Sequence, residues 1–341
     1  MKKVIFYKWL KYLASLAFGL TIIYFLFKNQ DPVKLIEEIQ KVDVKWVVLS
    51  MIFGGWAIVN RGLRWVVLID ALGYKSSKRN AIASVAILYF TNLFLPRAGE
   101  ITRCTSLHQA EKIPVDKLFG TILIERVIDF LFLFGLMGLT IILKFNDILK
   151  FYIAIQSQIT EDSNNKNMIT ILIIISILVL SFLFLKKWLK RSNLYDKITS
   201  SIKGLKEGFN SIKNIKQKST FWFHTFSIWM MYFLMTYICF FSMDETSILT
   251  LSDGIFLLVL GGIGMIIPTP GGIGSYHAIV MIGLSILGIG TISFGISSNT
   301  SNPALLFPTI IHAGQTLMAI ILGLIGLIIL FLSKKDTNVT S

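Results

Sequence analysis

Six stretches of the chain, 9–27, 46–69, 118–143, 169–185, 220–241 and 304–332, are each long and apolar enough to cross a lipid bilayer. A crossing takes about 20 mainly apolar residues. Of the 341 residues, 54% are hydrophobic and only 15% charged, against about 25% charged in ordinary soluble domains. A soluble fold of that length cannot hide so much apolar side chain, so lipid is the solvent. The expected fold class is an all-α polytopic membrane protein.

Two further apolar stretches do not cross cleanly. Stretch 80–95 is short and runs into Pro96, while 251–290 is interrupted by Pro268-Thr269-Pro270-Gly271-Gly272. Proline and glycine at that density break a helix. Broken backbone at membrane depth is tolerated only where it is buried in protein or lines a cavity.

The charges decide how these stretches run. The net charge is +14, from 33 Lys and Arg against 19 Asp and Glu. In a soluble chain this would suggest nucleic acid; in a membrane chain it indicates cationic loops at an anionic cytoplasmic leaflet. Loop 186–218 carries ten basic residues against Asp196 and Glu207, so it is expected to be cytoplasmic, as are the N-terminus and 61–79. Helix 169–185 then runs inward and 118–143 outward, so hairpin 80–113 enters and leaves from the inside. Working back from the basic end at Lys334 and Lys335, with an acidic outer turn at Asp244 and Glu245, hairpin 251–290 enters from the outside. Both termini are expected in the cytoplasm, with about six full crossings plus two re-entrant hairpins. Lys2, Lys3, Lys8 and Lys11 before an apolar stretch look like a signal peptide, but no small-residue cleavage site follows, so an uncleaved first helix is expected.

The expected organisation is a single membrane domain over 1–341. It has a first half at 1–168, a basic linker at 186–218 and a second half at 219–335. Pro96 lies on Pro268 and Gly99 on Gly271 at an offset of 172 residues, half the chain, and the two hairpins have opposite orientation. That pattern predicts an inverted repeat whose broken segments meet at a midplane binding site. In the linker, Ile198, Ile202, Leu205, Phe209, Ile212 and Ile215 recur at helical steps between lysines. This predicts a basic amphipathic helix over 194–216, held by anionic inner-leaflet lipids or acting as a solvated connector.

Charged groups inside a membrane are costly, so each is a functional candidate. At the first hairpin tip these are Asn92, Pro96, Arg97, Gly99, Glu100 and Arg103. Glu100 and Arg103 are three apart and able to pair on a helix, leaving positive charge over for a phosphate. The second set is Glu125, Arg126 and Asp129, with Arg126 in reach of Asp129 and the trio about 10 Å into its span. It is expected to act as a gate or as a clamp to the first hairpin, for example through Arg103 with Glu125 or Asp129. The third is Pro268, Pro270, Gly271, Gly272, Gly274, Ser275, Tyr276 and His277, where glycines let backbone amides face a ligand. His312 and Gln315 are candidate lining residues of the same cavity, while His108 and His224 receive no role.

Catalysis finds little support, and the chain is not expected to be an enzyme. It has no GxSxG elbow, HExxH or Walker-type loop, and Cys104 and Cys239 lie far apart without metal-ligand spacing. Neither a cofactor nor a metal is expected.

Asn92-x-x-Leu95-Pro96-Arg97-x-Gly99-Glu100-x-x-Arg103, then Glu125-Arg126-x-x-Asp129, then Pro268-Thr269-Pro270-Gly271-Gly272-Ile273-Gly274 resembles the flippase-like membrane region of lysylphosphatidylglycerol synthases. The resemblance spans nearly the whole chain, with the three motifs in the expected order. It implies an integral protein of the cell membrane that moves a phospholipid or lipid-linked head group between leaflets. It does not imply lysyl transfer, which in the synthases resembles the work of a separate soluble domain. One departure stands out: the family often has a glutamate shortly after PGG-x-G, where this chain has Ser275-Tyr276-His277, so no role of that carboxylate carries over. A membrane-embedded lipid-modifying enzyme, with Glu100, Glu125 or Asp129 as base, and a secondary transporter of a small anion stay open as alternatives. The partners expected are membrane phospholipids, with a second copy of the chain or a lipid-synthesis enzyme beside it, and no nucleic acid.

Overall fold

The structure is a computed structural model that describes residues 2–28, 30–161, 215–291 and 302–339. The expected helix 169–185 and the amphipathic helix 194–216 lie outside the described residues, apart from 215 and 216.

Among the described residues the chain is helical, without strands. Helix α1 is Lys2–Phe27 and α2 is Pro32–Lys41, turned by 90° from α1. Four helices are long and apolar enough to cross a membrane: α3 (Val44–Ala71), α6 (Val115–Glu161), α7 (Lys218–Ile238, extended by one tight turn to Ser242) and α11 (Pro303–Val339). With the bent α1–α2 pair counted as one span, there are five. These coincide with five of the six expected crossings, and the sixth is the stretch not described.

Two expectations on connections change. Segment 28–45, which joins the first two expected crossings, contains α2: Asp31 accepts from Val33 N at 2.9 Å and Pro32 sits in the first turn, a start signal strong enough for ten residues. Helix α6 continues far past the expected end at residue 143, into the connection toward the stretch 169–185. After Gly138 the sequence holds no glycine or proline up to Glu161, so nothing stops it. Its 47 residues span about 70 Å, roughly twice a hydrocarbon core.

The remaining elements form two broken pairs. Helices α4 (Lys78–Phe94) and α5 (Gly99–Glu111) are separated by four residues, in which Arg97 holds a left-handed φ of 63°. After the short α8 (Asp244–Ser247), α9 (Leu251–Ile266) and α10 (Ser275–Ile286) flank a tight turn at Pro270–Gly272. The breaks fall at the expected Pro/Gly positions.

Contacts place the open ends of the two pairs at opposite ends of the bundle. Glu111 accepts from Ser77 N and Asn80 Nδ2 at 3.0 and 2.9 Å, and Ser333 of α11 bonds Asn80 Oδ1 at 2.9 Å. At the other end an apolar cluster joins Leu26, Phe240, Leu249, Phe256, Leu284 and Phe307. Nearby, Lys144 of α6 pairs with Asp253 of α9. The tips meet between these ends: Arg97 Nη2 donates to Ile266 O at 3.0 Å, and Gly271 lies against Leu93.

Small residues permit the close packing. A Cβ on Gly62 of α3 would come 2.6 Å from Ile82 Cα of α4, and one on Gly326 of α11 would come 2.7 Å from Ala83 O. Asp253 also caps α9 in a box with Thr250, whose N–H it accepts at 2.7 Å. Asp253→Ala is expected to lower stability by about 1–2 kcal/mol through loss of cap and pair. Asp253→Asn, which keeps the cap acceptor, recovers part of this in thermal unfolding in detergent.

Candidate functional site

The site is built on three helices that each bring charges to one face. Arg61 and Arg64 of α3, Glu100 and Arg103 of α5, and Glu125 and Asp129 of α6 are spaced three or four apart, so each pair shares a face. Asp129 is held by both α3 arginines: Arg61 Nη2 at 3.1 Å, and Arg64 Nη1 and Nη2 at 2.8 and 3.2 Å in a bidentate fork. Glu125 takes Arg103 Nη2 at 2.6 Å and lies 3.7 Å from Arg64 Nε. Arg126 pairs with Glu100. Arg61 Nη1 also lies 3.2 Å from both Tyr89 and Tyr232 hydroxyls, which are 2.8 Å from each other.

The pairings differ from those read off the sequence. Glu100 and Arg103 do not pair with each other, nor does Arg126 with Asp129: both α5 side chains turn to α6, and Asp129 turns to α3. A shared helical face aims neighbours in one direction, so the facing helix supplies the better-aligned partner. The expected Arg103–Glu125 contact is present. Arg61 and Arg64, read as part of a cytoplasmic charged segment, are buried inside α3. Their signal was available, since both fall within the apolar stretch 46–69, three residues apart.

The network has a dry end and an open end. Arg64, Arg103 and Glu125 are enclosed, and the Arg103 guanidinium stacks on Trp65 at 4.1 Å. Trp65 Nε1 donates to Thr121 Oγ1 at 2.7 Å. The Arg126 side chain is 42% exposed. Four guanidinium groups face three carboxylates, which leaves one positive charge in excess, and the exposed Arg97 stands three residues before Glu100. A buried, incompletely compensated cluster of this sign is costly and favours an anion at its open end.

The first tip is braced from within. Asn92 Oδ1 accepts from Gly99 N at 2.9 Å, capping α5, and a Cβ on Gly99 would lie 2.3 Å from Leu88 O. Pro96 sits in the four-residue break. At the second tip Gly271, Gly272 and Gly274 all hold positive φ, flanked by Pro268 and Pro270. Pro268 O accepts from Ser15 Oγ of α1. Ser275 Oγ lies 2.8 Å from Thr269 Oγ1, and Tyr276 packs against Gly261 and Gly264 of α9. His312 donates through Nε2 to Gly271 O at 2.8 Å, and its ring lies 4.8 Å from that of His277. His312 therefore joins the second tip as expected. Gln315 does not: it donates to Ser50 Oγ of α3 at 3.0 Å. His108 lies 2.8 Å from Ile113 O, a local contact, and His224 lies 2.9 Å from Asn60 of α3, across the α3–α7 packing. Among the described residues no group of three or more His, Cys, Asp or Glu is placed to hold a metal ion.

The chain is similar to a curated archaeal protein, the UPF0104 membrane protein MJ1595 of Methanocaldococcus jannaschii. The two are 24% identical over 278 residues, covering 75% of this chain and 79% of that one. No solved structure matches it. The family model described as "Lysylphosphatidylglycerol synthase TM region" matches residues 12–323. With its long apolar helices, its two broken pairs and its three motifs in order, this chain is a membrane protein belonging to the lysylphosphatidylglycerol synthase TM region family.

Proposed function

We propose that this protein moves an anionic phospholipid or lipid-linked head group between the leaflets of the cell membrane. The observation that carries the reading is the meeting of two helix breaks beside an open cationic cluster. In this reading α4–α5 and α9–α10 are re-entrant hairpins related by an inverted repeat, with α4–α5 entering from the cytoplasm and both termini on that side. Helices α3 and α7, and α6 and α11, are the corresponding spans of the two halves.

The roles divide by exposure. Arg97 and Arg126, at the open end, meet the head-group phosphate, whose oxygens match a guanidinium fork. Arg61, Arg64, Arg103, Glu125 and Asp129 are enclosed and hold α3, α5 and α6 in register around them. Glu100 positions Arg126 until the phosphate competes for it. The acyl chains stay in lipid, and no bond of the substrate is made or broken. The basic linker 186–218 rests on anionic lipids of the inner leaflet.

Reconstitution tests this directly. In vesicles carrying fluorescent phosphatidylglycerol, the protein is expected to speed exchange between leaflets far above the rate in empty vesicles. Arg126→Ala is expected to lower that rate roughly 10- to 100-fold, for a lost charge-assisted contact of about 1.5–3 kcal/mol. Recovered lipid is expected to be chemically unchanged. Equal rates with and without protein overturn the proposal, and a modified lipid assigns the same residues to an enzyme.

A further inference from the structure

The second tip carries two imidazoles that the head-group contacts leave unused. His277, on the first turn of α10, is 5% exposed, and its Nδ1 is buried without a hydrogen-bond partner. His312 of α11 is tied through Nε2–H to Gly271 O, which leaves its own Nδ1 as an acceptor. The ring centroids are 4.8 Å apart, so a proton on one ring opposes a second on the other and the pair takes up one at most.

Among the described residues, the elements packed around the pair present no charged group to it. Helix α10 adds the Tyr276 ring, 6.1 Å from His277 and 5.5 Å from His312, with Cys239 beyond it at the end of α7. Helix α9 presents Gly261, Gly264 and Met265, α1 presents Ser15 and Gly19, and the turn itself presents Thr269 and Ser275. Among the described residues no carboxylate, lysine or arginine pairs with either imidazole. An added proton in such surroundings is unfavourable unless it is shared or an anion arrives with it.

Gly271 joins this pair to the cationic cluster. Its carbonyl holds His312 while its Cα faces Leu93 of the first tip, four residues before Arg97. An anionic head group bound between the tips brings negative charge to this uncharged pocket, which favours a proton on the imidazoles. Proton and anion thus favour each other's binding, and the coupling is reciprocal.

We propose that His277 and His312 form a shared proton-binding site, and that one proton accompanies each anionic head group across the membrane. The proton is taken from water on the side where the head group loads and returned to water where it unloads. This inference rests on the translocation reading above.

The test is leaflet asymmetry under an imposed pH gradient. Full-length protein in phosphatidylcholine vesicles with fluorescent phosphatidylglycerol is given a gradient of one pH unit, and the label in each leaflet is read by chemical quenching. One proton per lipid sustains up to about tenfold asymmetry. His277→Gln and His312→Gln, each compared with its own distribution without a gradient, are expected to bring the ratio to one. His312→Gln keeps an amide donor for Gly271 O, so it preserves the tip where His277→Gln fails to fold. Rapid exchange by the wild type to equal leaflets under any gradient overturns the proton site and leaves translocation standing. Undiminished asymmetry in His312→Gln overturns the assignment to the imidazoles. No exchange at all overturns both readings.

Discussion

Asp129→Ala is expected to destabilise the protein by about 3–5 kcal/mol, the usual consequence of removing one partner from a buried ion pair. Three hydrogen bonds from Arg61 and Arg64 end on this carboxylate, and both arginines are buried. Without it, two guanidinium groups keep only the distant edge of Glu125 and the Tyr89 and Tyr232 hydroxyls. Thermal unfolding in detergent, followed by tryptophan fluorescence, reads the change, because Trp65 stacks on the same network through Arg103. Asp129→Asn keeps the shape and one acceptor oxygen while losing the charge, so it is expected to fall between wild type and Asp129→Ala. The triple replacement of Arg61, Arg64 and Asp129 by apolar residues of similar size is expected to be less harmful than Asp129→Ala alone. A stable Asp129→Ala protein with unchanged unfolding would show that the arginines find solvent or other partners.

Gly274→Ala is the second large effect, expected at about 2–5 kcal/mol from two sources that add. The residue sits at φ 82°, where a side chain costs about 1–2 kcal/mol. A Cβ there would also lie 2.5 Å from Gly19 O of α1, a backbone atom that yields only if the helix moves, and such overpacking costs about 1–3 kcal/mol. The fingerprint is local: α1 separates from the second tip, so amide exchange and protease cleavage within α1 are expected to rise while the Asp129 network holds. Gly288→Ala is the control. It has a similar φ of 79° with nothing within 4 Å of its Cβ, so it carries the strain alone. Equal losses at the two positions would remove the α1 contact from the account.

How much of this was legible in the sequence depended on whether the signal was local. The spans at α1, α3, α6, α7 and α11 follow from runs of apolar residues, and the breaks from Pro96 and from Pro268 to Gly272. The Arg103–Glu125 contact was also within reach, because the two motifs lie only 22 residues apart on adjacent helices. Arg61 and Arg64 were not read correctly. Counting positive charge near helix ends assigns every basic residue to a side of the membrane, and it has no means of recognising one that is neutralised 65 residues further along the chain. The same limit hid Tyr232, whose approach to Arg61 depends on how α7 lies along α3. Helix α2 and the length of α6 were missed for another reason: hydropathy marks where lipid ends, whereas capping, glycine and proline mark where a helix ends.

The packing of the first broken pair carries a consequence for biogenesis. Helices α4 and α5 rest on partners made later than themselves: Glu100 and Arg103 on α6, and Ala83 and Phe90 on Gly326 and Gly323 of α11, more than two hundred residues downstream. When α5 leaves the ribosome none of these surfaces exists, and its charges have no counterpart in lipid. The packing of the pair is therefore complete only once α11 has been made.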